Sequence, residues 1–179
     1  MHPLLSLSRF IDGLNERIGY LADWAVVLSC AISAGNAMVR YAFDMSSNAW
    51  LEIQWYLFTA TVMLGASYTL KKNEHVRVDI TYMMLSERGK EWLDLLGTVL
   101  FLVPTMGFLA WLSWPMFWRA WASDEISGSA GGLIRWPVLV LLPLGFSLIT
   151  LQGISEIIKR VAGLLGAARY ETHYERPVQ

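Results

Sequence analysis

The chain has 179 residues, of which 55% are hydrophobic and 16% charged, and its mean hydropathy is +0.40. This composition argues against an ordinary soluble domain, and the formal net charge of −1 gives no reason to expect a nucleic acid as a partner. The single cysteine, Cys30, excludes an internal disulfide.

An amphipathic helix is predicted at the N-terminus. Its apolar residues recur every three or four positions, at Leu4, Leu7, Ile11, Leu14, Ile18 and Leu21. Its other face is polar and carries Ser8, Arg9, Asp12, Asn15 and Glu16. We expect this helix to lie in the cytoplasmic membrane interface and to lead into the first span. A simple continuation of that span is the alternative.

Four apolar segments follow, each long enough to cross a hydrocarbon core of ~30 Å as a helix. They cover residues 18–39, 50–70, 92–118 and 136–158. Lipid cannot satisfy free backbone polar groups, so helices are expected. Tryptophans lie near the segment ends, as membrane interfaces favour, at positions 24, 50, 92, 118, 121 and 136. The sequence thus predicts one all-α membrane domain over residues 1–166, with a polar cytoplasmic tail at residues 167–179.

The distribution of Lys and Arg predicts the orientation of the four spans. Eleven basic residues fall in the N-terminal segment, the link between spans two and three, and the C-terminal tail, whereas the other side has only Arg40, Arg119 and Arg135. Basic residues accumulate on the cytoplasmic side of membrane proteins. We therefore expect both termini to be cytoplasmic, in an inner membrane protein that crosses four times.

No catalytic, cofactor or metal site is predicted. The middle of every span lacks an ionisable residue, although such residues usually mark ion or proton pathways. The three histidines lie outside the spans, so axial haem ligation within the helices is not expected. His75 lies near Asp79 in the charged run 71–79, where a solvated or partner-facing role is favoured over metal binding.

At the other side of the membrane, Arg40 ends the first span and Glu52 follows Trp50 at the start of the second. An ion pair between Arg40 and Glu52 across the short first loop is one interpretation. Two independent interfacial charges are the other. A helix of 23 residues is ~34 Å long, so Glu52 and His75 are not expected to share a site.

Three stretches of the chain resemble a known family. They are Trp50-Leu51-Glu52-Ile53-Gln54; His75-Val76-Arg77-Val78-Asp79 followed by Trp92-Leu93-Asp94; and Gly131-Gly132-Leu133, Trp136-Pro137, Pro143-Leu144-Gly145-Phe146 and Leu151-Gln152. In order and spacing, over about residues 10–160, the chain resembles the small membrane (DctQ-like) subunit of tripartite ATP-independent periplasmic (TRAP) transporters. It departs from many relatives at Leu51, where they have a second acid.

The resemblance implies a small permease subunit rather than an enzyme. Such a subunit pairs with a large multi-span permease subunit, which holds the sodium and substrate sites, and with a periplasmic binding protein that captures an organic acid such as a carboxylate. It implies no cofactor in this chain. Structural or partner-contact roles are expected for Arg40, Trp50, Glu52, His75, Arg77 and Asp79.

Two alternatives from other functional classes remain open. One is a membrane enzyme or electron-transfer subunit that binds quinone or lipid between its helices, with Trp114, Pro115 and Trp118 as candidate lining residues. The other is a stand-alone tetraspan assembly protein. A bound chromophore in the purified protein would favour the first alternative.

Overall fold

The computed structural model describes residues 2–45, 47–73 and 85–165, without the side chains of His2 and Glu87. The predictions for His75, Arg77 and Asp79, and for the tail at 167–179, lie outside the described residues. Within the described part, every regular element is helical, apart from an isolated antiparallel bridge between Ile126 and Ile134. This confirms the all-α class.

The first helix, α1, runs without a break from His2 to Phe43. Its 42 residues make it ~63 Å long, about twice the thickness of a hydrocarbon core. The N-terminal segment and the first span thus form one continuous helix, and the interfacial position of its first half stays a prediction. The reason for the continuity is local: no proline follows Pro3 in this stretch, so nothing ends the helix.

In the first half of α1, the side chains that are buried differ from those predicted. Ser8 and Asn15, expected on a polar outer face, are almost fully buried against other helices. Leu4, Leu7 and Phe10 are instead exposed. Ile11 is buried as well, and the exposed side of this part of α1 carries Arg9 and Arg17 beside the apolar residues, so that side is amphipathic.

Helix α2 spans Asn48–Lys72 and follows a very short link. Ser47 caps its start by accepting a hydrogen bond from the Ala49 N–H, at 3.3 Å. Asn73 ends it in the left-handed conformation, with φ of 60°. The helix packs along α1 and along the last helix of the chain.

The third predicted span is a continuous helical segment with a change of hydrogen-bond pattern. Helix α3 (Glu87–Gly97) is capped by Ser86, a π-helical segment covers Thr98–Leu102, and α4 covers Val103–Ala122. The Val103 N–H bonds to the Thr98 carbonyl, five residues back. Pro104 follows at once in the first turn of α4 and has no N–H, so the wider π turn accommodates its ring without ending the helix.

The described part of the chain closes with a short helix, α5 (Trp136–Leu139), followed after Val140 by α6 (Leu141–Leu164). Pro137 lies in the first turn of α5, where its missing N–H leaves no helix hydrogen bond unmade. The loop before it, residues 123–135, carries the Ile126–Ile134 bridge and a turn in which Gly131 has a φ of 73°. Such a φ is free of strain only for a residue without a Cβ.

Three stretches of the described chain are long and apolar enough to cross a membrane: Pro3–Phe43, Arg88–Ala122 and Trp136–Leu164. Helix α2, with 25 residues, is long enough but falls outside this set, because polar side chains such as Glu52 and Gln54 lower its hydropathy. The structure thus supports membrane-spanning helices.

Glycines allow the helices to cross closely. At three crossings, a Cβ added to the glycine would lie closer to the neighbouring helix than normal packing permits: Gly19 at 2.8 Å from Tyr68, Gly145 at 2.7 Å from Met63, and Gly153 at 2.7 Å from Leu102. These contacts join α1 to α2, α2 to α6, and α6 to the π segment. Small residues at helix crossings are the usual means of close packing in lipid.

Candidate functional site

Three residues of α2 hold the loop before α5. Asn48, Glu52 and Tyr56 are spaced four apart, so they lie on one face of the helix. The Asn48 amide donates to the Ala130 carbonyl at 3.1 Å, and the Tyr56 hydroxyl donates to the Ile134 carbonyl at 3.2 Å. We call this set of three residues the α2 clasp.

Glu52 makes the central contacts of the α2 clasp. One carboxylate oxygen accepts the Leu133 N–H at 2.7 Å, and the other accepts the Ser127 hydroxyl. Ser127 and Leu133 are themselves joined, because the Ser127 N–H donates to the Leu133 carbonyl at 2.9 Å. A carboxylate that accepts two donors from one loop fixes the distance between the two sides of that loop.

The structure does not pair Arg40 with Glu52. No ion pair of Arg40 exists among the described residues, and its side chain is exposed. Arg40 and Glu52 are therefore two independent charges, the second of the two interpretations. Trp50 is 50% exposed and lines a cavity between α1 and α2. Their roles in contacting a partner stay predictions.

At the opposite end of the bundle, α1 and α6 share a buried set of polar side chains. We call it the α1–α6 network, and it consists of Ser8, Asp12, Asn15, Gln152, Ser155, Glu156 and Lys159. Gln152 lies at its centre and is 0% exposed. Its amide oxygen accepts from Asn15 at 2.7 Å, and its amide nitrogen donates to Asp12 at 2.9 Å and Glu156 at 3.0 Å.

Asp12 is the main acceptor of the α1–α6 network. Besides the Gln152 amide, its carboxylate accepts the Ser155 hydroxyl at 2.8 Å and pairs with the Lys159 ammonium at 3.2 Å. The Ser8 and Ser155 hydroxyls also form a hydrogen bond, with 2.7 Å between their oxygens. Each of these bonds joins α1 to α6, so together they hold the first half of α1 against the end of the chain.

Two further ion pairs join other helices at this end. Lys71 of α2 pairs with Glu16 of α1 at 2.9 Å, and Arg160 of α6 pairs with Asp94 of α3 at 2.9 Å. The Asp94–Arg160 pair is largely buried, so removal of Asp94 would leave the buried Arg160 charge without this ion pair. With the α1–α6 network, these pairs connect α1, α2, α3 and α6 through side chains.

The sequence contained a signal for this network that the hydropathy pattern concealed. Gln152 lies three and four residues before Ser155 and Glu156, and these lie four and three residues before Lys159, so all four share one helix face. Glu156 is buried in the network. Among the described residues, no three metal-ligating side chains converge.

A family model described as tripartite ATP-independent periplasmic transporters, DctQ component, matches residues 29–163. The chain belongs to the DctQ family. It is therefore the small membrane component of a TRAP transporter, which confirms the resemblance seen in the sequence. The family implies an inner membrane location and partnership with a large permease subunit and a periplasmic binding protein. Searches of curated proteins and of solved structures gave no significant match.

The region matched by the DctQ family includes the α2 clasp, the loop that it holds and the α6 half of the α1–α6 network. The match begins at Ser29, after Ser8, Asp12 and Asn15. The α1 half of the network therefore lies outside the segment that identifies the family. Hydrogen bonds in the structure, rather than family membership, identify that half.

Proposed function

We propose that this DctQ component is the non-catalytic scaffold subunit of a sodium-coupled, binding-protein-dependent transporter for organic acids. The family match over residues 29–163 carries the proposal. In this proposal the sodium and substrate sites belong to the large permease subunit, which moves during transport. The present chain needs no cofactor and widens the static part of the complex.

The hydrogen bonds of the chain support a scaffold role. The α1–α6 network and the Glu16–Lys71 and Asp94–Arg160 pairs join separate helices to one another. Buried polar groups with several partners each resist separation of the helices, because every bond broken in a low-dielectric interior leaves a costly unpaired group. A subunit that remains rigid gives a moving partner a fixed surface.

We further propose that all four long helical segments cross the membrane, with both termini cytoplasmic. Helix α2 packs along α1 and α6, which both lie in stretches long and apolar enough to cross a membrane. With 25 residues, α2 is long enough to cross beside them. The excess of basic residues at the α1–α6 network end supports this orientation. The loop at 123–135 then faces the periplasm, where it would help to receive the binding protein.

This orientation predicts opposite labelling of two introduced cysteines. In a Cys30→Ser background, Ser129→Cys in the loop is expected to react with a membrane-impermeant maleimide applied to intact spheroplasts. Ser6→Cys, near the start of α1, should react only after the membrane is permeabilised. Both native serines are exposed, so access to the side chain is matched. Labelling of both cysteines, or only of Ser6→Cys, in intact spheroplasts would contradict the proposed topology.

The scaffold function predicts that uptake depends on this chain. Cells that produce the binding protein and the large permease subunit should accumulate a radiolabelled organic acid only when this chain is also present. Uptake should stop when the sodium gradient is collapsed, and affinity purification of this chain should recover the large subunit. Full uptake without this chain would contradict the scaffold role. Uptake that persists without sodium would contradict the coupling alone.

A further inference from the structure

A polar groove lies beside the α1–α2 contact, at the end of the bundle that carries the α2 clasp. Its volume is about 560 Å³. Side chains from the last turns of α1, from Asp44 just beyond α1, and from the first turns of α2 line it: Ser33, Asn36, Arg40, Tyr41, Asp44 and Gln54. We call it the α1–α2 groove. Polar residues of this density are unusual on the surface of a helix pair whose other exposed residues are mostly apolar.

Two opposite charges on one side of this groove lack ionic partners. Arg40 lies in the last turn of α1, and Asp44 directly follows the helix with a φ of 51°. No ion pair joins them, and neither forms one with any other residue in the described ranges. The groove therefore offers one positive and one negative group.

Gln54 adds a hydrogen-bond donor on the opposite side of the groove. Its amide nitrogen is shielded from solvent and has no hydrogen-bond partner within the protein. A buried donor without a partner costs about 1–3 kcal/mol, so such groups normally have an occupant to bond. The last torsion of a glutamine side chain is broad, which lets this amide turn toward an occupant of the groove.

The surroundings of the groove point to a lipid headgroup as the occupant. Tyr41 lines it and is 96% exposed, and aromatic residues in this position accumulate at the headgroup level of a bilayer. Ala37 and Leu51 also line the groove and give it an apolar border. An amphipathic molecule with a charged head and an apolar body fits such a border.

We propose that the α1–α2 groove binds the headgroup of a zwitterionic phospholipid, a phosphate ester that carries a primary ammonium. Arg40 and the Gln54 amide receive the phosphate, and the Asp44 carboxylate receives the ammonium. Such a headgroup carries one negative and one positive charge, and the groove offers one partner of opposite sign for each. A purely anionic headgroup would satisfy Arg40 and leave Asp44 facing a negative charge.

Native mass spectrometry of the purified full chain in detergent tests this proposal. The probes are phosphatidylethanolamine and phosphatidylglycerol with identical acyl chains, added at equal concentration. We expect retention of phosphatidylethanolamine to exceed that of phosphatidylglycerol by about tenfold, the ratio that one charge-assisted hydrogen bond supplies. Arg40→Gln should remove retention of both lipids. Asp44→Asn should abolish the preference by lowering retention of phosphatidylethanolamine to that of phosphatidylglycerol.

Arg119→Gln is the matched control, because Arg119 is also an exposed arginine at the end of a helix on this side of the bundle. It should retain both lipids as the unaltered chain does. Thermal unfolding with and without phosphatidylethanolamine checks that each variant is folded, and only the unaltered chain and the control should gain stability from that lipid. Equal retention of the two lipids by the unaltered chain, or unchanged retention in Arg40→Gln, would overturn the proposal. Neither result depends on transport activity.

Discussion

Replacement of Gln152 by leucine is expected to lower the free energy of unfolding by about 2–4 kcal/mol, since each buried polar group left unpaired costs about 1–3 kcal/mol. The side chain is fully buried and joins Asn15, Asp12 and Glu156 at once. Leucine has a similar size and cannot form any of these three bonds. Equilibrium unfolding in mixed detergent micelles, followed by circular dichroism, measures the change.

Thr150→Val on the same helix is the control for Gln152→Leu. The Thr150 hydroxyl donates to the Phe146 carbonyl within α6, so its loss breaks no contact between helices. We expect a change below about 0.5 kcal/mol, as for most substitutions that leave no buried group unpaired. A loss of stability in Gln152→Leu no larger than that in Thr150→Val would show that the α1–α6 network does not hold the helices together.

The second large effect is expected at the crossing of α2 and α6. In Gly145→Ala, the new Cβ would lie 2.7 Å from both the carbonyl oxygen and the Cβ of Met63. The Met63 backbone is part of α2 and cannot move by itself, so the two helices must separate. We expect a loss of about 2–3 kcal/mol, typical of overpacking at a tight contact, in the same unfolding measurement.

Gly107→Ala makes the same chemical change as Gly145→Ala, but it is expected to stabilise the protein. A Cβ on Gly107, inside α4, would meet only the Thr150 side chain, at an ordinary distance of 3.8 Å. Alanine is a better helix former than glycine, so Gly107→Ala should stabilise the protein by about 0.5–1 kcal/mol. If Gly145→Ala stabilised the protein as Gly107→Ala is expected to do, helix propensity rather than the close contact at Gly145 would decide the result.

The helical class and the approximate helix positions were predictable, because lipid leaves a backbone few alternatives and apolar length is visible in the sequence. The π segment before Pro104 was not predicted. A proline inside an apolar run indicates a local disturbance, but the packing of Gly153 against Leu102 and Val103 depends on the tertiary structure.

The two polar clusters show why side-chain contacts were harder to predict than helices. Ser8, Asp12 and Asn15 form a polar stripe that suits either water or a polar partner helix, and helical periodicity does not distinguish the two. For Glu52, the nearest basic residue in sequence was Arg40, yet its partners are Ser127 and Leu133, 75 and 81 residues away. Contacts at that separation require knowledge of which helices are neighbours.

The α2 clasp has a consequence for how this family can diversify. Most of its bonds to the loop go to main-chain atoms: the carbonyls of Ala130 and Ile134 and the N–H of Leu133. Every residue type supplies a carbonyl, and all but proline supply an N–H. Mutation can therefore change the exposed side chains of the loop while its shape persists. The side chains that the loop exposes to a partner could therefore change while the loop backbone keeps its conformation.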